Sequence, residues 1–233
     1  MESLAQELLE AIIDHVTPTN ARCCSLVARR WQRRSQQRCF SDLVFSREHE
    51  VVRWYTNIPQ DPDGIPSYAH DVEFQSIRVW RDPTLLSQVL KCFSRVKILT
   101  FSETGIPSDE VRKLVSSGNF GRDVTSLTFI YPVSTVPTLM SLTLSLPNLR
   151  ELMIDSVVRA KPPVFIPPDK TWQGGPLQSL ELSWLSSKEI GFIVQCGVTS
   201  HMVCLSVRDA KMEEIIVCSS ETMQELTLEG TWL

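Results

Sequence analysis

The hexapeptide VKILTF, residues 96–101, places apolar side chains at Val96, Leu99 and Phe101. In a β-strand Leu99 and Phe101 would lie on the same face, because side chains alternate between the two faces of a strand. The same spacing returns in VTSLTF, residues 124–129. A short apolar phrase that recurs along a chain predicts a repeated structural unit, here with one strand in each copy.

The phrase occurs eight times in the chain. The copies are FSDLVF, AHDVEF, VKILTF, VTSLTF, LRELMI, LQSLEL, MVCLSV and MQELTL, and their central residues are Leu43, Val72, Leu99, Leu127, Leu152, Leu180, Leu205 and Leu226. Intervals of 21–29 residues separate successive central residues. Four of the intervals contain helix-like stretches, residues 83–93, 108–117, 187–196 and 211–218. Strands that alternate with helices predict a parallel sheet backed by helices.

This pattern resembles a degenerate leucine-rich repeat over about residues 41–233, although no regular asparagine follows the strands. The resemblance implies an α/β fold built as an irregular solenoid, in which stacking covers the apolar face that one unit cannot bury alone. A doubly wound α/β domain is the alternative explanation of the recurrence. The glycine-rich phosphate turn and the acidic ribose partner of a nucleotide-binding fold are missing from the sequence, which disfavours that alternative. The chain stops directly after its last predicted strand, so we expect either a truncated product or an end covered by a partner.

The first forty residues differ in character from the repeats. Six apolar residues share one face of a predicted first helix: Leu4, Leu8, Leu9, Ile12, Ile13 and Val16. Pro18 follows Thr17 and is expected to end this helix and open a second one. Apolar residues then recur at helical spacing up to Trp31. The segment therefore predicts two or three short amphipathic helices.

Three stretches of this segment together resemble an F-box: LAQELLEAIIDHV (4–16), CCSLVARRW (23–31) and CFSDLVF (39–45). They occur in the order that the family has, and the resemblance spans about residues 4–45. Ala5 stands where the family prefers proline, which would weaken docking. We therefore expect an F-box helical domain over residues 1–45 and a leucine-rich-repeat-like domain over residues 46–233. F-boxes followed by such repeats are especially common in expanded families of fungal proteins.

The F-box resemblance implies a non-catalytic role as a substrate-recognition adaptor of a cullin–RING ubiquitin ligase of the SCF type. The F-box would dock on the Skp-type linker subunit and through it on a cullin, while the repeats hold the protein to be ubiquitinated. The positions that match the motif, some facing the linker and some the helical core, are Leu4, Glu7, Leu8, Ile12, Ile13, Cys24, Leu26, Val27, Arg30 and Trp31. A protein-interaction scaffold that has lost linker docking is the alternative, and Ala5 favours it.

Two parts of the repeat region are candidates for contact with a substrate protein. The strand positions expected to face outward carry Asp42, Asp71, Glu73, Glu151, Asp155, Glu181, Glu225 and Glu229, against the single base Arg208. This charge distribution favours a basic segment of the substrate, although exposed strand faces are commonly polar. The second candidate is the proline-rich stretch 159–176, whose Phe165 and Trp172 either fold back onto the core or form an apolar recognition patch. Three tryptophans near strand ends, Trp80, Trp184 and Trp232, are open to the same two readings, of which core packing is favoured.

Composition argues against several other functions. The net charge of -4 and the pI of about 5.6 disfavour a nucleic-acid-binding protein. We interpret the cluster Arg29, Arg30, Arg33, Arg34 and Arg38 as a solvated helix face; contact with an acidic partner and phosphate binding are the alternatives. Seven cysteines without a C-x-x-C pair and four dispersed histidines suggest no metal site or cofactor. A hydrolase or nucleotide-dependent enzyme would need a polar cluster that the sequence does not indicate. No apolar run is long enough to span a membrane and no signal peptide is evident, so we expect a protein of the cytoplasm, the nucleus or both.

Overall fold

A computed structural model describes residues 6–27, 29–61, 64–117, 120–158, 172, 175, 177–199, 204–208 and 225–229. Within them the chain is an α/β protein, as predicted. The helices are α1 (Gln6–His15), α2 (Pro18–Cys24), α3 (Arg29–Phe40), α4 (Glu48–Asn57), α5 (Thr84–Cys92), α6 (Ser108–Ser117), α7 (Val136–Thr143) and α8 (Ser187–Gln195), with one 3₁₀ turn at Ile65–Tyr68. The strands are β1 (Asp42–Phe45), β2 (Asp71–Gln75), β3 (Ile98–Ser102), β4 (Ser126–Ile130), β5 (Glu151–Asp155), β6 (Ser179–Ser183), β7 (Cys204–Arg208) and β8 (Glu225–Glu229).

The eight strands form one sheet in sequence order, and every neighbouring pair is parallel. The central residues predicted from the sequence lie side by side in register, from Leu43 beside Val72 to Leu205 beside Leu226. In β2–β6 the second and fourth residues are buried, so one face of the sheet carries the core. We call the opposite face, with the first, third and fifth strand residues, the open face. The predicted parallel sheet is confirmed.

Four phenylalanines stack along the buried face at the fourth position of successive strands. Neighbouring rings of Phe45, Phe74, Phe101 and Phe129 have centroids 5.5, 5.5 and 5.7 Å apart. These distances are typical of favourable ring contacts. Each ring covers its neighbour, so burial in one unit depends on the presence of the next.

Most of the predicted return helices are present, but two helices were not predicted. The stretches 83–93, 108–117 and 187–196 form α5, α6 and α8, while residues 211–218 lie outside the described part of the chain. Helix α7 escaped prediction because six of its eight residues are buried, which leaves no polar side to reveal a helical period. Helix α4 buries only Val51 and Trp54, and no side chain caps its start. Helix α7 therefore lacked a local signal, whereas Glu48 and Glu50 in the first turn of α4 were a helix-start signal that sequence reasoning missed.

Three helices form the N-terminal segment, in agreement with the expected two or three. Helix α1 buries Leu9 and Ile13, and α2 starts at Pro18 after Thr17, whose hydroxyl accepts from the Asn20 backbone N–H at 3.4 Å. Helix α3 leads almost directly into β1, which is the edge strand of the sheet. The Ser41 carbonyl between them accepts hydrogen bonds from the next unit, at 2.8 and 3.0 Å. The helical segment therefore continues into the sheet without an independent linker.

A left-handed turn recurs at the carboxyl end of five strands. The residue directly after each of β2–β6 has a φ between 46° and 58°: Ser76, Glu103, Tyr131, Ser156 and Trp184. The backbone N–H of Ser76 donates to the Ser102 carbonyl of the neighbouring strand at 2.8 Å, and the next three turns repeat this bond. The recurring turn therefore extends the parallel hydrogen-bond ladder by one step and aligns the carboxyl edge of the sheet. This edge and the open face carry the surfaces considered next.

Candidate protein-interaction surfaces

Apolar side chains are exposed at two places on the N-terminal helices. Leu8 and Ile12 of α1 are 55% and 48% exposed, while Leu9 and Ile13 of the same helix are buried. The spacing of four residues places Leu8 and Ile12 next to each other along α1. Leu26, just after α2, and Val27 are 85% and 67% exposed. We call Leu8, Ile12, Leu26 and Val27 the exposed apolar set, because exposed side chains of this kind are suited to contact with another protein.

The other positions that match the F-box motif have different environments. Ile13 is buried and belongs to the helical core, whereas Glu7 is exposed. Cys24 and Trp31 are half-buried. Leu4 and the side chain of Arg30 lie outside the described part of the chain. Structure thus separates core from surface among these positions, which the sequence left mixed.

The arginine cluster of α3 is only partly solvated. Arg34 donates two hydrogen bonds to the Asp14 carboxylate, at 2.7 and 2.5 Å, and these bonds lower the pKa of Asp14. They fasten α3 to α1, although the pair is partly exposed and so adds little stability. Arg29 and Arg33 are exposed, in line with the predicted helix face. Arg38 lines a cleft of about 420 Å³ between the N-terminal helices and the segments that precede β2 and β3, together with His70 and Arg95.

Carboxylates occupy two regions of the open face of the sheet. Asp42 of β1 and Asp71 of β2 are register partners. Glu73 lies two residues further along β2, on the same face. Burial and the negative charge of Asp42 raise the pKa of Asp71. Glu151 is exposed in β5, and Glu181 is half-buried in β6. A cationic partner would relieve the repulsion between Asp42 and Asp71.

The open face is not uniformly acidic, because neutral residues separate its two acidic regions. Strands β3 and β4 present Ile98, Thr100, Ser126 and Thr128 at the corresponding positions. Asp155, at the end of β5, is half-buried. The side chains of Glu225, Glu229 and Arg208 lie outside the described part of the chain. Among the side chains that the structure describes, the predicted acidic surface is therefore two patches, one at β1–β2 and one at β5–β6.

Two aromatic side chains are exposed at the carboxyl edge of the sheet. Trp184, for which core packing was expected, is 59% exposed, and Tyr131 is 45% exposed. Sequence reasoning missed Tyr131, although both residues occupy the same position of the repeat, immediately after the strand. Comparing that position across the copies would have found the pair. Both residues lie at the end of the sheet that also holds Asp155, whose carbonyl accepts from the Tyr131 N–H at 2.8 Å.

The remaining tryptophans support packing rather than recognition where they are described. Trp80 is buried, and its indole N–H donates to the Gly105 carbonyl at 2.7 Å. Trp172 is also buried, and its indole N–H donates to the Gly175 carbonyl at 3.0 Å. Trp172 therefore joins the core and offers no apolar recognition patch. Phe165 and Trp232 lie outside the described residues.

The described residues hold no group of three or more side chains that could bind a metal ion. No helix in the described ranges is both long enough and apolar enough to cross a membrane. Comparison with known proteins adds no assignment: no protein-family model matches the chain, and no curated protein gives a significant match.

Proposed function

We propose that this chain is a substrate-recognition adaptor of an SCF-type cullin–RING ubiquitin ligase. In this proposal residues 1–45 act as an F-box that docks on a Skp-type linker subunit. Residues 46–233 act as a leucine-rich-repeat-like solenoid that holds the protein to be ubiquitinated. The observation that carries the proposal is the exposed apolar set, which falls on motif positions of the F-box resemblance.

The exposed apolar set supplies the energy that docking needs. A fully buried leucine, isoleucine or valine contributes about 1.5–3 kcal/mol, and a few such anchors dominate the energy of a protein interface. Leu26 and Val27 are adjacent in the turn after α2 and are the most exposed members of the set. They gain most from a partner, and their removal costs the folded monomer least.

Substrate recognition in this proposal falls to the open face of the sheet and its carboxyl edge. The acidic patch at β5–β6 would attract a basic segment of the substrate by complementarity of potential. A rigid platform suits this role, because hydrogen-bonded strands hold its side chains at fixed spacing. The adaptor itself performs no chemistry in the ligase.

Replacing both Leu26 and Val27 by glutamate is expected to weaken binding to a purified Skp-type linker subunit at least 100-fold. The new carboxylates would have to be buried in an apolar contact, which is strongly unfavourable. Isothermal titration calorimetry measures the affinity. The single variant Val79→Glu is the control, because Val79 is 80% exposed outside the N-terminal helices and its replacement should leave binding unchanged. A wild-type chain that does not bind the linker would contradict the proposed function.

A repeat scaffold without ligase association is the second candidate, and Ala5 is the observation that favours it. If Ala5 alone weakens docking, Ala5→Pro should strengthen linker binding. An adaptor and a scaffold therefore differ in the linker titration but not in the binding of a basic protein segment.

Exchanging two carboxylates on the open face, Glu151→Lys with Glu181→Lys, is expected to weaken capture of a basic substrate segment at least tenfold. The exchange turns attraction into repulsion within the acidic patch at β5–β6. Affinity for a lysine- and arginine-rich peptide, measured by fluorescence anisotropy at low and high salt, tests this. Asp109→Lys with Asp123→Lys makes the same change in net charge at exposed positions away from the open face. Equal losses in both double variants would assign the effect to overall charge instead of the patch.

A further inference from the structure

The carboxyl edge of the sheet holds a row of five side chains at one repeated backbone position. Ser76, Glu103, Tyr131, Ser156 and Trp184 all follow a strand and all have left-handed φ values. Such a conformation is unfavourable for residues other than glycine, yet the turn accepts serine and glutamate as well as aromatic residues. The turn itself therefore does not require tyrosine or tryptophan. Another reason is needed for the two aromatic side chains.

Tyr131 and Trp184 flank the smaller Ser156 in this row. They follow β4 and β6, and Ser156 follows β5 between them. Strands in a sheet lie about 4.8 Å apart, so the backbones at Tyr131 and Trp184 are about 9.5 Å apart. Both rings are substantially exposed. We call Tyr131, Ser156 and Trp184 the aromatic notch, because the small side chain leaves a gap between two large ones.

The surroundings of the aromatic notch favour a cation. Asp155 directly precedes Ser156, and Glu181 lies on the open face of β6 three residues before Trp184, whereas Glu151 lies at the amino end of β5, five residues from Ser156. None of the five residues in the row is a cation; the guanidinium of Arg78 donates to Glu103, and Lys188 lies in the first turn of α8, four residues after Trp184. Arg208 of β7 is the register partner of Ser183 in β6, and its side chain lies outside the described residues. A planar guanidinium stacks on aromatic rings more readily than an ammonium group does and prefers tryptophan.

We propose that the aromatic notch binds an arginine side chain in an extended segment of a partner protein. The guanidinium stacks between the rings of Tyr131 and Trp184, and the carboxylates of Asp155 and Glu181 balance its charge. That this partner is the substrate of the ligase rests on the proposed function. The binding itself depends only on the aromatic notch and on the nearby carboxylates of Asp155 and Glu181.

Peptides that differ in one side chain test this assignment. The probe is an eleven-residue glycine–serine peptide with a single central arginine, labelled with fluorescein and titrated with the complete chain without linker subunit. We expect saturable binding with a Kd below about 1 mM. Replacing arginine by lysine, which keeps the charge without the plane, should weaken binding about fivefold or more. Citrulline, which keeps the plane without the charge, should weaken it about tenfold or more.

Variants of the row separate the aromatic notch from the rest of the surface. Tyr131→Ser and Trp184→Ser introduce a residue that the same turn already accepts at Ser76 and Ser156. Each substitution should weaken binding of the arginine peptide about fivefold or more. Ser156→Phe fills the gap and should have the same effect with both aromatic residues still present. Ser76→Phe adds a ring two strands away from Tyr131 and should leave binding unchanged.

Several results would overturn the assignment. They are the absence of binding at 1 mM arginine peptide, equal affinity for the lysine peptide, and affinity that neither serine variant nor Ser156→Phe reduces. Failure of this inference is distinguishable from failure of the proposed function. If the chain binds the linker but not the arginine peptide, only the inference about the aromatic notch is wrong. If it binds the peptide but not the linker, only the proposed ligase role is wrong.

Discussion

Phe101→Ala is expected to lower the free energy of unfolding by about 4–5 kcal/mol, because its ring lies at the middle of the phenylalanine stack. Phe101 is fully buried, and its ring centroid is 5.5 Å from that of Phe74 and 5.7 Å from that of Phe129. Truncation leaves a cavity and also removes two ring contacts. A loss of this size is a large fraction of the 5–15 kcal/mol that typically stabilises a domain.

Urea unfolding followed by circular dichroism measures the change. The control is Thr100→Ala in the same strand, since Thr100 lies on the open face and its change should stay within about 0.5 kcal/mol. Phe101→Leu keeps part of the volume and should fall between the two. A loss below about 1.5 kcal/mol for Phe101→Ala would mean that neighbouring units close the cavity, and that the stack is less important to stability than its burial implies.

Gly105→Ala is expected to destabilise the protein by about 3 kcal/mol, because backbone atoms occupy the space that a methyl group needs. A Cβ atom at this position would lie 2.3 Å from the Arg78 carbonyl oxygen. The segment around Gly105 and the segment around Arg78 are held together by hydrogen bonds, so neither can move away from the added methyl group. The Gly105 N–H donates to the Ile77 carbonyl at 2.9 Å, and its carbonyl accepts from the Trp80 indole at 2.7 Å. The glycine thus permits two neighbouring units to approach closely at the carboxyl edge of the sheet.

The matched control for this substitution is Gly175→Ala, where an added Cβ atom has no heavy atom within 4 Å. Its effect should be within about 0.5 kcal/mol. Thermal unfolding compares the two variants, and the near-ultraviolet circular dichroism of the folded state reports the packing of Trp80. Equal stability of the Gly105 and Gly175 variants would contradict the close approach.

The sequence did not predict which apolar residues are exposed or which distant residues lie together; the tertiary structure decided both. Leu8 and Leu9 are adjacent and chemically identical, yet Leu9 is buried and Leu8 exposed, because only one face of α1 packs on neighbouring helices. Tyr131 and Trp184 lie at the same edge only because three successive strands have their ends side by side. Residues far apart in sequence cannot be assigned to a common surface until strand order and register are known.

The sequence by itself determined the repeat, since apolar residues two positions apart can share a face only in a strand and their return at 21–29 residues defines the unit. It therefore predicted the eight strands, their parallel order and most return helices. Only the tertiary structure decided the location of α7, the separation of the acidic residues into two patches, and the exposure of Trp184. The physical reason is that the spacing of apolar residues is a local property of the chain, whereas the burial of a side chain and its distance from other side chains depend on which repeat units become neighbours.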